Sequence, residues 1–380
     1  MRHDDKKTLI LSAVLGAVMI IGITLYIQKQ QQSTIKIGFA AGLTGLKSEL
    51  GVSGRNGARM AADRINLQGG INGHKVELVV VDDRNDPQVS KDVDRHLANM
   101  DVRVIVGHMV SGVAESTVSL AKENKILLIS PTIATEELTG IDDNFLRVIA
   151  SNKVQGRSLA LAALQETAAR KIGIVYDKKN ESFAKPIIKA FKEVIEPTDL
   201  RLLNPQPFDG QGDFGRIVEM LKQNGAEGVL LIASALDAGM FCQQCRKHGL
   251  KVQAFCPMWT MTNDFLQAGG EDADGTFLVS QVDLDAQTQA YKVFRENYRK
   301  RFGEEPSFAS VLSYDATMVA AYGITAADNL SADRVKAAIL RKGIFHGLQG
   351  PIAIDGFGDV QCDYTLYRVQ AGAFHKVRKL

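Results

Sequence analysis

"IKIGFAAGLTGLKSELGVSGRNGARMAADRINLQGGINGHKVELVVVD", residues 35–82, holds one complete strand–helix–strand unit, and its reading decides the fold class. Its two ends, 34–41 and 75–82, are apolar runs of strand length. Between them Ala58, Ala61, Ala62 and Ile65 recur at i, i+3, i+4 and i+7, while Arg55, Arg59, Asp63 and Asn66 mark another face. That spacing predicts an amphipathic helix laid on a sheet. The paired glycines of "LQGGINGHK" (67–75) accept the left-handed backbone that stops a helix. Outward from this unit, the apolar runs 102–107 and 125–130 are each followed by a helix-like stretch. The pattern then repeats: strands at 170–177, 200–208, 226–234 and 251–258, with helices near 153–168, 183–196, 213–223 and 237–248. Two successive α/β domains with parallel central sheets follow from this alternation. After residue 284 the chain turns helical, at 286–301, 307–327 and 331–341, before short strands around 351–355 and 364–369. That helical block has to dock on the earlier domains, so the chain crosses between them.

A chain of 380 residues with 45% hydrophobic and 23% charged content supplies enough core for two domains. Its net charge is +2 and its 45 basic residues are spread along the sequence, which leaves no electrostatic stripe for nucleic acid. Residues 8–27, "TLILSAVLGAVMIIGITLYI", carry no charge. At roughly 1.5 Å per residue such a run spans a bilayer core of about 30 Å. Arg2, Lys6 and Lys7 precede it and Lys29 is the first basic residue after it. The positive-inside rule then makes 1–7 a cytoplasmic tail, 8–27 a single-pass anchor in the lipid bilayer of the inner membrane and 28–34 a linker, with the remainder facing the periplasm or cell exterior. A cleaved signal peptide has a shorter apolar region and a small-x-small site; the alternative here is a long one cut near Gln30 to Ser33.

Catalytic signatures fail one by one. In "GLTGLKSELGVSGRNG" (42–57) Leu46 separates Gly45 from Lys47, so the loop lacks the G-K-[ST] step with which a phosphate loop reaches its nucleotide. No H-E-x-x-H or G-x-S-x-G is present. Cys242 and Cys245 form a CxxC with His248 one turn on, but "LDAGMFCQQCRKHGL" reads as a helix interior, whereas a reactive thiol pair sits at a helix N-terminus. These are read as buried structural thiols, with no metal and no cofactor expected. His108, after the strand 102–107, is the one histidine placed near a cleft, and it is read as a structural residue. What the chain offers instead are Gly-rich and hydroxyl-bearing loops at the carboxyl ends of parallel strands: "GLTG", "GHMVSG" and "SPTIAT". Ligands of open α/β sheets sit in that crevice, and free backbone N–H groups there favour an anion such as a carboxylate.

"IKIGFAAGLTG", "GVSGRNGARMAADRINLQGGINGHKVELVVVDDRNDP", "VIVGHMVSGVAEST", "ILLISPTIATEEL" and "SYDA", in this order and spacing, resemble the branched-chain amino-acid type of substrate-binding protein that serves ABC transporters. The resemblance covers Ile35 to about Tyr367. It implies the type I periplasmic-binding-protein fold, two Rossmann-like lobes joined by a three-stranded hinge. Lobe 1 would comprise 35–152 and 283–350, and lobe 2 153–282 and 351–380, with crossings near 151–154, 281–284 and 350. It also implies a ligand-binding rather than enzymatic role: capture of a small molecule by hinge closure and its presentation to an ABC permease. An accessory domain that senses a ligand for another membrane protein is the alternative.

The resemblance carries over site residues position by position. Ser111 matches the serine that holds the ligand carboxylate, and Thr132 the position whose backbone meets the ligand. Tyr314 matches a tyrosine on the cleft wall, and Phe183 replaces a tyrosine in the second lobe. Leu46 and Leu50 belong to the loop on the cleft wall, Leu50 standing where the family has an aromatic. Ala134 stands in place of a ligand-binding threonine, with Thr135 beside it. Met258, followed by Trp259, stands where an acidic residue pairs with the ligand ammonium. A buried ammonium without a partner is costly, so the expected ligand is a small carboxylate with an apolar or aromatic body. Asp237 or Asp264 would restore the charge for an amino acid.

Overall fold

A computed structural model describes residues 34–380 except Leu46, together with Gly16 and Met19. The expected cytoplasmic tail 1–7, the anchor 8–27 and most of the linker 28–34 lie outside the described residues, as does Leu46. Among the described residues no helix is long and apolar enough to cross a membrane.

The first sheet has the order β2-β1-β3-β4-β5 and is parallel throughout. Its strands are β1 (Ile35–Ala41), β2 (Val76–Asp82), β3 (Val104–Gly107), β4 (Leu127–Ser130) and β5 (Phe145–Arg147). Helices α1 (Glu49–Leu67), α2 (Pro87–Asn99) and α3 (Ala114–Ala121) connect the first four strands. β3 and β4 are buried at every position, as strands covered on both faces are. Asp86 caps α2 by accepting from the backbone N–H groups of Gln88 and Val89, with Pro87 in the first turn.

The second sheet runs β15-β14-β11-β10-β9-β6-β7, with β8 also beside β6. Its parallel part consists of β6 (Lys171–Asp177), β7 (Arg201–Leu202), β8 (Gln206–Phe208), β9 (Gly228–Ile232), β10 (Gln253–Cys256) and β11 (Phe277–Ser280). Interleaved with them are α4 (Asn152–Glu166), α5 (Glu181–Ile195), α6 (Phe214–Gln223), α7 (Ala235–Lys247) and α8 (Asn263–Gly269). Strands β14 (Thr365–Gln370) and β15 (Ala373–Lys379) add antiparallel at one edge.

The late helices α9 (Gln289–Phe302), α10 (Phe308–Ala326) and α11 (Ala332–Lys342) return to the first sheet, with α10 packed along α1. Gly57 of α1 makes that approach possible: a Cβ there would collide with the Ser310 carbonyl. The hairpin β12 (Ile344–His346) and β13 (Pro351–Ala353) follows.

Three chain segments pass between the two sheets and are knitted together. Ala150 N–H donates to Gln281 Oε1 (2.9 Å), and Gln281 Nε2 donates to the Val148 carbonyl (2.9 Å). Ala150 also bridges to Val360, and Arg147 N–H donates to the Gly358 carbonyl (3.0 Å). The third passage therefore lies around 354–364 rather than near 350, because 351–353 pair back on 344–346. Arg147, buried beside this passage, ion-pairs with Asp359 (2.7 Å) and donates to the Thr135 carbonyl (2.9 Å).

Candidate functional site

The loops after β3 and β4 are tied to each other by hydroxyl groups. Ser130 Oγ donates to the His108 carbonyl (2.8 Å) and accepts from the Ile133 N–H (2.9 Å). Thr132 Oγ1 donates to the Met109 carbonyl (2.6 Å). Beneath them His108, with no solvent exposure, is held by Asp83 at Nδ1 (2.5 Å) and Asp94 at Nε2 (3.1 Å). Burial alone would lower its pKa, but the Asp94 charge and the hydrogen bonds to both carboxyl groups raise it to about 10. The ring is therefore protonated at neutral pH and serves as a pinned brace under the loop, as a structural histidine does.

Ser111 opens a short 3-10 turn, Ser111–Val113, that leads into α3. Its Oγ accepts from the Ala134 N–H (3.3 Å). A hydroxyl used only as an acceptor keeps its proton for another partner. Across from it, Gln155 in the first turns of α4 accepts from the Met258 N–H at Oε1 (3.0 Å), while its buried Nε2 faces the Tyr364 hydroxyl without closing a well-formed hydrogen bond. Asn180 Oδ1 is buried and unpartnered among the described residues.

These groups line one cavity between the two sheets. From the first side come Leu50, Met109, Val110, Ser111, Thr132 and Phe308; from the second, Gln155, Asn180, Phe183, Met258 and Trp259; Ile149 comes from the crossing. Phe183 and Trp259 meet edge to face, with ring centroids 5.6 Å apart at 77°. The free volume is about 20 Å³, room for about one water. An amino-acid-sized molecule thus needs the two sides to separate or the Met109 and Met258 side chains to swing away, which their unbranched thioethers permit.

Of the residues expected at the site, Ser111, Thr132, Leu50, Phe183, Met258 and Trp259 share this cavity. Ala134 and Thr135 are buried just outside it: Ala134 through its N–H on Ser111, Thr135 through its hydroxyl accepting from Glu137 N–H (3.4 Å). Tyr314 is a correction. Its hydroxyl accepts from Arg64 Nη1 (3.1 Å) and its ring lies 5.1 Å from that of Phe294, between α1, α9 and α10 and away from the cavity. Asp237 ion-pairs with Lys47 (3.0 Å). Burial raises the Asp264 carboxyl above its usual range. Gln155, Asn180, Met109 and Phe308 were not anticipated. The signal for Gln155 was available, since it is a polar residue beside the buried Leu159, Ala162 and Ala163 on one helix, just after the first crossing. The CxxC lies inside α7, buried, and burial pushes the Cys242 thiol up to about 12. Such thiols are unreactive.

Two sheets joined by three crossing segments, with a small, partly open cavity between them lined by hydrogen-bonding and apolar groups, define a two-lobed α/β architecture with an interlobe cleft. The comparisons with known proteins make this specific. The "Periplasmic binding protein" family model matches residues 34–373, and the chain belongs to that family, whose members bind solutes for transport rather than catalyse reactions. It is similar to the leucine-, isoleucine-, valine-, threonine- and alanine-binding protein of Pseudomonas aeruginosa, 26% identical over 366 residues that cover 95% of this chain and 96% of that one. The Leu/Ile/Val-binding protein of Escherichia coli is 26% identical over 333 residues, 86% of this chain and 88% of its own. In fold, the chain matches the LivJ substrate-binding protein of Streptococcus pneumoniae solved with isoleucine (TM-score 0.84, 24% identity, 91% of this chain and 100% of that one). It also matches a solute-binding protein of R. palustris solved with benzoate (TM-score 0.82, 19% identity, 91% and 96%).

Proposed function

We propose that this chain captures a small carboxylate-bearing ligand with an apolar or aromatic body between its lobes and delivers it to an ABC permease, while residues 8–27 anchor it in the inner membrane. The observation that carries this reading is the placing of two donors on opposite walls of the cavity, the Ser111 hydroxyl proton on one side and Gln155 Nε2, beside the Tyr364 hydroxyl, on the other. A carboxylate satisfies both, and charge-assisted hydrogen bonds are stronger than neutral ones. Thr132 contributes backbone at the same wall, and Phe183, Met258, Trp259 and Leu50 supply the apolar surface for the ligand body. Leucine, isoleucine and valine, among the ligands in the relatives' names, fall in this class, as does the benzoate of the R. palustris protein.

The lobes follow the sheets and rotate about the three crossings, so contacts made from both sides exist only when the cleft is shut, and a ligand shifts the population toward that state. The permease reads the shut shape. Tethering by a short linker raises the local concentration of the lobes at a membrane partner. Thermal unfolding of the full-length protein with and without candidate ligands tests the reading, because a ligand that binds only the folded state raises Tm. A rise with small apolar carboxylates supports it; no rise with any, alongside a rise with an uncharged solute, contradicts it.

A further inference from the structure

One cross-cleft contact is independent of any ligand. Lys47, on the loop between β1 and α1, reaches over to the second lobe, where its Nζ lies 2.5 Å from Asp177 Oδ2 and 3.0 Å from Asp237 Oδ2. Both carboxyl groups are buried and fixed before Lys47 arrives: Asp177, at the end of β6, accepts from Lys179 N–H (2.9 Å), and Asp237, in the first turn of α7, accepts from the Ser234 hydroxyl (2.8 Å). Burial disfavours the Lys47 ammonium, yet the hydrogen bond to Asp177 and the charges of Asp177 and Asp237 outweigh it and leave the pKa raised. The same ammonium stands 5.9 Å from the centre of the Trp259 ring, which forms the cavity wall. A cation over an indole face is attracted to it, so this side chain ties the first lobe both to an acidic pair and to a ligand-facing residue of the second.

We propose that Lys47 is an interlobe positioning residue: its ammonium, shared by Asp177 and Asp237, draws the lobes together and seats Trp259 against the cavity without help from a ligand. When two buried carboxyl groups lie on one face of a cleft, opening it leaves them without that cation, and an acid stranded at low dielectric is unfavourable. The acidic pair is thus answered from within the chain, and a ligand entering the cavity has no need to bring a positive charge. Closure by Lys47 is a property of the empty protein, so it stands or falls separately from the nature of the ligand.

The chain holds one tryptophan, Trp259, which makes its fluorescence a direct reporter of the cleft. Iodide or acrylamide quenching is measured on the full-length, ligand-free protein. Trp259 is expected to be protected in the wild type, several-fold more accessible in Lys47→Met, and protected again in Lys47→Arg, which keeps the charge. The triple variant Lys47→Met/Asp177→Asn/Asp237→Asn, which removes both partner charges as well, should be as accessible as Lys47→Met, so the readout does not depend on stranding a buried acid. Equal quenching of the wild type and Lys47→Met, with the same circular dichroism, overturns the proposal.

Discussion

The two walls of the cavity differ in how their loops are supported. On the first-lobe side, hydroxyl groups and backbone from the loops after β3 and β4 are cross-linked by Ser130 and Thr132 and braced from below by the buried His108 with Asp83 and Asp94. On the second-lobe side, the surface is Phe183, Met258 and Trp259, and its polarity is confined to Gln155 and Asn180. Both walls carry apolar side chains, Leu50, Met109, Val110 and Phe308 on the first and Phe183, Met258 and Trp259 on the second; what sets the first apart is the cross-linked and braced backbone beneath it. The proposed function puts the stronger hold on the ligand head group on the braced wall, through Ser111.

The comparison breaks most readily at the brace. Replacing His108 by Leu leaves Asp83 and Asp94 buried without the cation between them, a change that costs about 3–5 kcal/mol in comparable buried pairs. Denaturant unfolding should show a loss of that size and ligand binding should fall with it; a change below about 1 kcal/mol would show that the loop does not rest on this group. Next in size is Ser111→Ala. Losing a hydrogen bond to a charged group is worth about 1.5–3 kcal/mol, so Kd for a carboxylate should rise about ten-fold or more, with a separate stability loss of about 1–3 kcal/mol from the buried Ala134 N–H left without its acceptor. On the other wall, Gln155→Met removes one donor to the ligand and the acceptor for Met258 N–H. Its effect on affinity should be smaller, about 1 kcal/mol, and equality with Ser111→Ala would erase the proposed asymmetry.

The smallest effect is a pH dependence at the cleft edge. Burial, with the charges of Asp264 and Glu304 adding, pushes the Glu49 carboxyl up to about 8. The folded state therefore holds that proton more tightly than the unfolded one. Its contribution to stability is full below the ordinary carboxylate range, is lost as pH rises from there, and is gone above about 8. Glu49→Gln should flatten that part of the stability profile, read as urea midpoints across the window.

The alternation of apolar strands with amphipathic helices was legible because βαβ units impose both periods on the sequence, and the Gly- and Ser-bearing loops stood out because they follow strand ends. The short strands β5 and β12 were not, since three residues carry no period, whereas β13 falls within the strand expected at 351–355. Tyr314 was placed on the cleft wall by the motif match alone, and the helix pattern could not have corrected it. α10 is buried on nearly every side, so its pattern gives no facing, and only packing turns that ring toward Phe294 and Arg64. The contacts of Lys47 with Asp177 and Asp237 join residues from different lobes, and nothing local marks them.

The central claim is that the cleft recognises a carboxylate through Ser111. Its most direct test is calorimetric titration of the full-length protein, and of Ser111→Ala, with isoleucine, its amine-free counterpart and isoleucinamide, in which the carboxylate is masked. The account predicts that binding follows the carboxylate, that the amide does not bind, and that Ser111→Ala weakens whichever acid binds about ten-fold or more. Binding of isoleucinamide as tight as that of the acids, or an unaltered affinity in Ser111→Ala, would contradict it.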